Sequence, residues 1–212
     1  MVSQTASIPE ILALGPVMPV IVIDRAEDGV ALADALLAGG LKTIEITLRT
    51  PAALGAIKAI ADARPNICIG AGTVISAELA TAAKEAGAHF AVSPGTTQAV
   101  IDGCAAVDLP LLPGASTVSE MMHTLEAGFT AMKFFPASAA GGASFIKSLA
   151  SPLPQVTICP TGGISAATAP EWLALPNVKC VGGSWVAPQS LINAGDFTAI
   201  ETLARDAAGL TG

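Results

Sequence analysis

The amino-acid sequence predicts an α/β fold, a single (β/α)8 TIM barrel with an extra N-terminal helix, and three observations carry that prediction. Short β-branched runs alternate with alanine-rich amphipathic stretches along the whole chain, the pattern of a parallel sheet covered by helices. The runs recur about every 20 to 25 residues, a spacing expected of strand–helix units joined by short loops, and eight of them can be placed. At 212 residues the chain has nearly the ordinary size of such a barrel, so one domain over residues 1–212 accommodates all the units.

The expected strands are residues 17–23, 43–48, 67–71, 90–93, 111–114, 131–135, 157–160 and 178–181. Helix punctuation agrees with them. Thr50 followed by Pro51 reads as an N-cap with proline at the first helical position, and Thr117 with Glu120 reads as a capping box. Ala38-Gly39, Ala86-Gly87 and Ala127-Gly128 each place glycine, which tolerates the left-handed turn, at a helix end just before a strand. Residues 4–14, within an N-terminal segment 1–15, are expected to form a helix capping the barrel. A six-stranded doubly wound sheet is the competing architecture, but eight units and no GxGxxG after the first strand count against it.

Composition narrows the function classes. Charged residues make up 13% of the chain, against roughly 25% in an ordinary soluble protein, so little of it is built to face water and a homo-oligomer is the natural way to cover the excess. Ten basic against seventeen acidic residues give a net charge of −7, which repels a polyanionic backbone and excludes nucleic acid as the expected partner. No lysine or arginine precedes Arg25, so the positive region of a secretory signal is missing and a cytoplasmic protein is expected. Residues 148–170 are uncharged over a membrane-spanning length, but Pro152, Pro154, Pro160, Gly162 and Gly163 break the run, and no membrane partner is expected. Cys68, Cys104, Cys159 and Cys180 form no CxxC pair and have no clustered histidine, so they read as buried thiols and no metal site is expected.

Lys133 lies in a strand that a closed barrel should make apolar on both faces. Burial there disfavours the ammonium and favours the free amine that attacks a carbonyl, although a lysine snorkelling from a strand end, or paired structurally, fits the same position. Glu45 adds to the case. Strand alternation puts Thr43, Glu45, Thr47 and Arg49 on one face and Ile44, Ile46 and Leu48 on the other. Helices should cover the isoleucine face, leaving Glu45 buried inside the barrel as a general acid–base. A purely structural Glu–Lys pair is the alternative, yet such a pair rarely stabilises more than apolar residues would. Arg49 follows beyond the strand's C-terminal end, the face where barrels keep their active sites, and its planar fork suits a carboxylate.

Glycines close three strands at that same face, in Gly70-Ala71-Gly72-Thr73-Val74, Thr161-Gly162-Gly163 and Gly182-Gly183-Ser184. The last two belong to the units where barrels often hold phosphate, through backbone N–H groups and helix N-termini. Thr73, Thr161 and Ser184 offer hydroxyl contacts. His89 and His123 read as structural, Trp172 and Trp185 as packing or interface residues, and Cys159 as a lumen-lining thiol with nothing to activate it.

The chain closely resembles the 2-keto-3-deoxy-6-phosphogluconate aldolase family, which also includes 4-hydroxy-2-oxoglutarate aldolases. The resemblance spans residues 15–197 and is carried by Glu45-Ile46-Thr47-Leu48-Arg49-Thr50, Gly70-Ala71-Gly72-Thr73-Val74, Ser93-Pro94-Gly95, Pro113-Gly114-Ala115-Ser116-Thr117, Lys133-Phe134-Phe135-Pro136-Ala137 and Cys159-Pro160-Thr161-Gly162-Gly163-Ile164. It implies a homotrimer of barrels performing metal-independent class I aldol cleavage of a small phosphorylated 2-keto acid, with no cofactor beyond the covalent Schiff base. It further implies Lys133 as the Schiff-base residue, Glu45 as the proton carrier acting through a water, and Arg49 and Thr73 as carboxylate ligands. Thr161 is implied as a substrate contact, Gly162, Gly163, Gly182, Gly183 and Ser184 as the phosphate site, and Pro94 and Phe135 as walls. The family often carries an acidic residue where this chain has Ser138, which bears on substrate range and not on the chemistry. A sugar-phosphate isomerase or epimerase barrel would explain the glycine loops but not the lysine and glutamate, and a non-catalytic barrel retained as a ligand-binding or assembly subunit, which would not turn over pyruvate, is the second alternative.

Overall fold

The computed structural model describes residues 6–211, and among them nine strands and ten helices follow one another along the chain. The strands are β1 (Val17–Ile21), β2 (Thr43–Thr47), β3 (Cys68–Gly72), β4 (Phe90–Val92), β5 (Leu111–Leu112), β6 (Gly114–Ala115), β7 (Ala131–Phe134), β8 (Thr157–Pro160) and β9 (Val181–Gly183). The helices are α1 (Ile8–Leu12), α2 (Asp28–Ala38), α3 (Ala53–Ala63), α4 (Ala77–Glu85), α5 (Gln98–Ala106), α6 (Val118–Glu126), α7 (Gly142–Leu149), α8 (Ala169–Leu173), α9 (Gln189–Ala194) and α10 (Phe197–Ala208).

All strand pairs are parallel, in a six-stranded sheet ordered β5-β4-β3-β2-β1-β9 and a three-stranded sheet ordered β6-β7-β8. Sequential strands are neighbours throughout the first sheet, and the last strand returns beside the first. That order lacks the reversal of a doubly wound sheet and requires the sheet to curl.

The two sheets meet at two places. Pro113 alone separates β5 from β6, because a proline has no N–H to give to a ladder; the expected strand 111–114 is therefore split, while the Pro113 carbonyl still accepts from Lys133 N–H at 2.8 Å. On the other side, isolated parallel bridges join Ile158 to Val178 and Thr161 to Gly182. In the expected strand 178–181, Val178 makes only its isolated bridge to Ile158, its own N–H donating to the Leu175 carbonyl at 3.1 Å, and β9 begins at Val181.

Two apolar clusters occupy the two faces of the strands. Ile44, Ile46, Ile69, Ala91, Met132, Phe134, Ile158 and Val181 point outward and pack against the helices. Met18, Cys68, Phe90, Val92, Leu112, Ala131, Cys159 and Cys180 point inward and pack with Ile8, Ile11 and Leu12 of α1. Cys68, Phe90 and Ala131 each begin their strands, so α1 covers the N-terminal ends of the inner face. This helix is shorter than the expected 4–14, starting at Ile8 behind a capping box in which Ser7 N–H donates to Glu10 Oε2 at 2.7 Å; residues 4 and 5 lie outside the described residues.

Helix ends differ from expectation at two points. The capping box of Thr117 and Glu120 forms as expected, with both reciprocal bonds in place. Thr50, by contrast, is no N-cap: its hydroxyl donates to the Ile23 carbonyl at 2.5 Å, and α3 starts only at Ala53. Gly87 and Gly128 have the left-handed φ of +94° expected of them, but Gly39 is right-handed with φ −75° and Gly40 makes the turn. Gly39 is glycine for closeness, because a Cβ there would fall 2.8 Å from the Arg205 nitrogen and on the Ala204 methyl of α10.

The uncharged residues 148–170 run through β8 between two helices, and no helix among the described residues is long and apolar enough to cross a membrane. Gly39→Ala should overpack the α2–α10 contact and cost about 1–3 kcal/mol. Gly128→Ala, where an added methyl meets nothing within 4 Å, should lose only about 1–2 kcal/mol to left-handed strain. Urea unfolding midpoints of the two variants check both values.

Candidate active site

Strand β2 supplies the acid. Thr43, Glu45 and Thr47 are all buried on the inner face, as their parity requires, and Glu45 is only 2% exposed. Space for its carboxylate comes from the next strand: a Cβ on Gly72 would fall 2.8 Å from Glu45 Cδ. Gly70 likewise leaves room for the Phe90 ring. The β3 glycines therefore shape the interior as well as the turn that follows them.

Strand β7 supplies the base. Lys133 is 6% exposed and faces inward, its Nζ donating to Glu45 Oε1 at 3.2 Å across the interior. Backbone register sets it between Gly114 and Cys159. The Phe135 ring, at the mouth, lies with its centroid 5.5 Å from Nζ. Two ionisable groups, far apart in sequence, are thus held in direct contact in a place from which water is largely excluded.

The other expected site residues follow the C-terminal ends of parallel strands and so collect at one end of the sheets. Arg49 follows β2 with an exposed head, and its Nε donates to Thr47 Oγ1 at 3.1 Å. Thr73 follows β3 with φ +62°, a left-handed conformation costly for a β-branched residue and of the kind that concentrates at functional sites. Pro94 follows β4 and sits against Gly114, where a Cβ would meet the Pro94 carbonyl. Thr161 is buried beyond β8 and pairs with Gly182 of β9 through a parallel bridge. Gly162 and Gly163 have φ of +103° and +75°, and Ser138 N–H donates to the Gly162 carbonyl at 3.0 Å, so Ser138 borders this loop.

At β9, Gly183 lies under the Trp185 ring and Ser184 is exposed. After the two glycine loops, helix α8 starts at Ala169 behind the Ser165–Thr168 turn, and α9 starts at Gln189 behind Pro188.

Thr47 escaped functional reading because its parity marked it only as polar and inward; its hydroxyl donates to the Ile21 carbonyl and accepts from Arg49 Nε. Trp185 was expected to pack, and the structure puts it over Gly183. The histidines fit their structural reading. His89 Nδ1 accepts the Ile69 N–H at 3.0 Å while burial lowers its pKa, and His123 lies exposed 3.5 Å from Glu126.

All four thiols are free and buried. Burial pushes Cys68 up to about 12 and Cys104 up to about 11, and Cys180 is raised by its 3.5 Å contact with Cys159 Sγ and by burial. Among the described residues no three His, Cys, Asp or Glu side chains gather as metal ligands.

Known proteins share this sequence and geometry. A "2-dehydro-3-deoxy-phosphogluconate aldolase" of Pseudoalteromonas atlantica is 48% identical over 204 residues, 96% of this chain and 95% of that protein. A "KHG/KDPG aldolase" of Escherichia coli is 47% identical over 201 residues, 95% of this chain and 94% of that one. Among solved structures, the KDPG aldolase of Legionella pneumophila, with pyruvate captured at low pH as a covalent carbinolamine, superposes with a TM-score of 0.92 at 44% identity, covering 94% of this chain and 97% of that one. The Zymomonas mobilis enzyme with 3-phosphoglycerate does so with a TM-score of 0.90 at 44% identity, covering 98% and 97%. The model of the family "KDPG and KHG aldolase" matches residues 8–203, and this chain belongs to that family.

Proposed function

We propose that this protein is a class I aldolase that cleaves 2-keto-3-deoxy-6-phosphogluconate to pyruvate and glyceraldehyde 3-phosphate, with cleavage of 4-hydroxy-2-oxoglutarate to pyruvate and glyoxylate as a second reaction. The observation that carries the reading is the buried Lys133–Glu45 contact of 3.2 Å. Transfer of one proton along it leaves a neutral amine and a neutral acid, the two species needed to add to a ketone and then expel water. The carbinolamine in the Legionella relative and the 3-phosphoglycerate in the Zymomonas relative support the same chemistry and the same substrate class.

The mechanism assigns each residue a role. Lys133 Nζ adds to the C2 carbonyl of the keto acid, and Glu45 gives a proton to the departing hydroxyl, leaving a cationic imine. Glu45, through a water, then takes the proton of the C4 hydroxyl. The C3–C4 electron pair moves into the imine and the aldehyde leaves. The enamine accepts a proton at C3, and water releases pyruvate and the free amine. The imine supplies the positive charge that accepts the electrons, so the reading calls for no metal and no cofactor.

Arg49 and Thr73 hold the carboxylate, Pro94 and Phe135 wall the pocket, and Thr161 meets the substrate. Gly162, Gly163, Gly182, Gly183 and Ser184 bind the phosphate through loop N–H groups and the serine hydroxyl, for which the glycine conformations and the Thr161–Gly182 bridge are the support.

The same reading takes the two sheets as one closed (β/α)8 barrel and one domain over residues 1–212, supported by the bridges between β8 and β9 and by the single-residue gap at Pro113. It also takes the protein to be a cytoplasmic homotrimer. Exposed Ile75, Val118 and Met122 supply apolar surface for the association.

Borohydride added with pyruvate should fix a covalent adduct on Lys133, located by peptide mass, and Lys133→Met should give neither adduct nor cleavage. A Lys133→Met variant that still turned over substrate would favour an isomerase-type barrel. Glu45→Gln should slow both the trap and cleavage, cleavage by about 10²–10⁴-fold, as read in a coupled assay for pyruvate. Ser184→Ala should raise KM for the phosphorylated substrate several-fold and leave 4-hydroxy-2-oxoglutarate cleavage unchanged, which parallel steady-state kinetics on the two substrates will check.

A further inference from the structure

We infer that Thr47 is a positioning residue that fixes which edge of the Arg49 guanidinium is offered to the keto-acid carboxylate; the inference rests on the reading of Arg49 as the carboxylate ligand. Thr47 is buried at the end of β2. Its hydroxyl donates to the Ile21 carbonyl of β1 at 2.7 Å. A hydroxyl has one proton, so towards Arg49 the same oxygen is an acceptor, and a guanidinium can only donate. The 3.1 Å contact from Arg49 Nε therefore runs in a single direction, from arginine to threonine to the β1 carbonyl. The backbone repeats the constraint, since Arg49 N–H donates to the Thr47 carbonyl at 2.8 Å.

The chemical consequence is selective. A guanidinium can meet a carboxylate through its Nη1–Nη2 edge or through its Nε–Nη2 edge. With Nε bound to Thr47, the second edge is used up and the terminal edge is the one left to offer to a carboxylate. Among the described residues Arg49 forms no ion pair, so no carboxylate of the protein competes for that edge. An exposed side chain is in this way held ready for a substrate anion.

The test measures exchange of the pyruvate methyl protons with deuterated water at increasing pyruvate concentration. Thr47→Val keeps the shape and removes the hydroxyl. It should raise KM about tenfold, the effect of losing one hydrogen bond to a charged group, with kcat within about twofold, the pattern of lost uniform binding. Thr47→Ser should restore the wild-type KM, and in an Arg49→Leu background Thr47→Val should add nothing.

An unchanged KM in Thr47→Val, or an equal loss in Thr47→Ser, would overturn the inference, as would a full additional loss in the Arg49→Leu background. If the valine variant fails to fold, Thr47→Ala, which also lacks the hydroxyl, takes its place with the same expected rise in KM. A wild-type KM in Arg49→Leu would overturn the carboxylate reading and this inference with it. A raised KM there beside a normal Thr47→Val would overturn the inference alone.

Discussion

An ammonium and a carboxylate facing each other inside a protein constrain everything around them. Taking Lys133 and Glu45 out of water costs several kcal/mol for each ion, and removing one partner of such a pair typically destabilises by about 3–5 kcal/mol because the other is left stranded. The surroundings follow from that cost. Gly72 gives up its side chain to leave room for the carboxylate, and Gly70 gives up its own so that Phe90 can fill the space below. The inner cluster of Met18, Cys68, Phe90, Val92 and Leu112 is apolar and packed, while the outward isoleucines and the helices hold the strands in the register that brings the two residues into contact. The larger apolar cluster lies on the outer face, which leaves the inner one free to carry a polar pair.

What could be read from sequence divides along physical lines. Alternation along β2 is local, so the inward placement of Glu45 followed from Thr43-Ile44-Glu45-Ile46-Thr47 alone. The lysine was legible for a similar reason, as an ionisable residue in a run whose neighbours are apolar, and the family motifs then tied the two together. The capping box at Thr117 and Glu120 depends on residues three apart and was equally readable.

Features that depend on distant partners were not. Gly39 looked like a helix stop and is instead the point where α10 approaches α2, a contact that only the folded chain reveals. Thr50 looked like an N-cap until the segment after β1 offered the Ile23 carbonyl as a better acceptor. Strand β9 started late because Val178, whose N–H turns back to Leu175, makes only an isolated bridge to Ile158, and a tight turn of that kind leaves little trace in β-branched content. In the site itself, Thr47 was placed on the correct face but its work was hidden, since a threonine hydroxyl declares its direction only when both of its neighbours are known.

The helix over the N-terminal ends of the strands has a consequence for traffic. Ile8, Ile11 and Leu12 pack beneath the inner cluster at the N-terminal ends of the strands, whereas Arg49, Thr73 and Phe135 follow the opposite ends of theirs. On the function proposed above, a fragment held at the Lys133 amine would enter and depart past those three residues. A fragment nearer that rim would then leave before the one tethered deeper, and the helix at the far end would bear on kinetic sequence without touching a reacting atom.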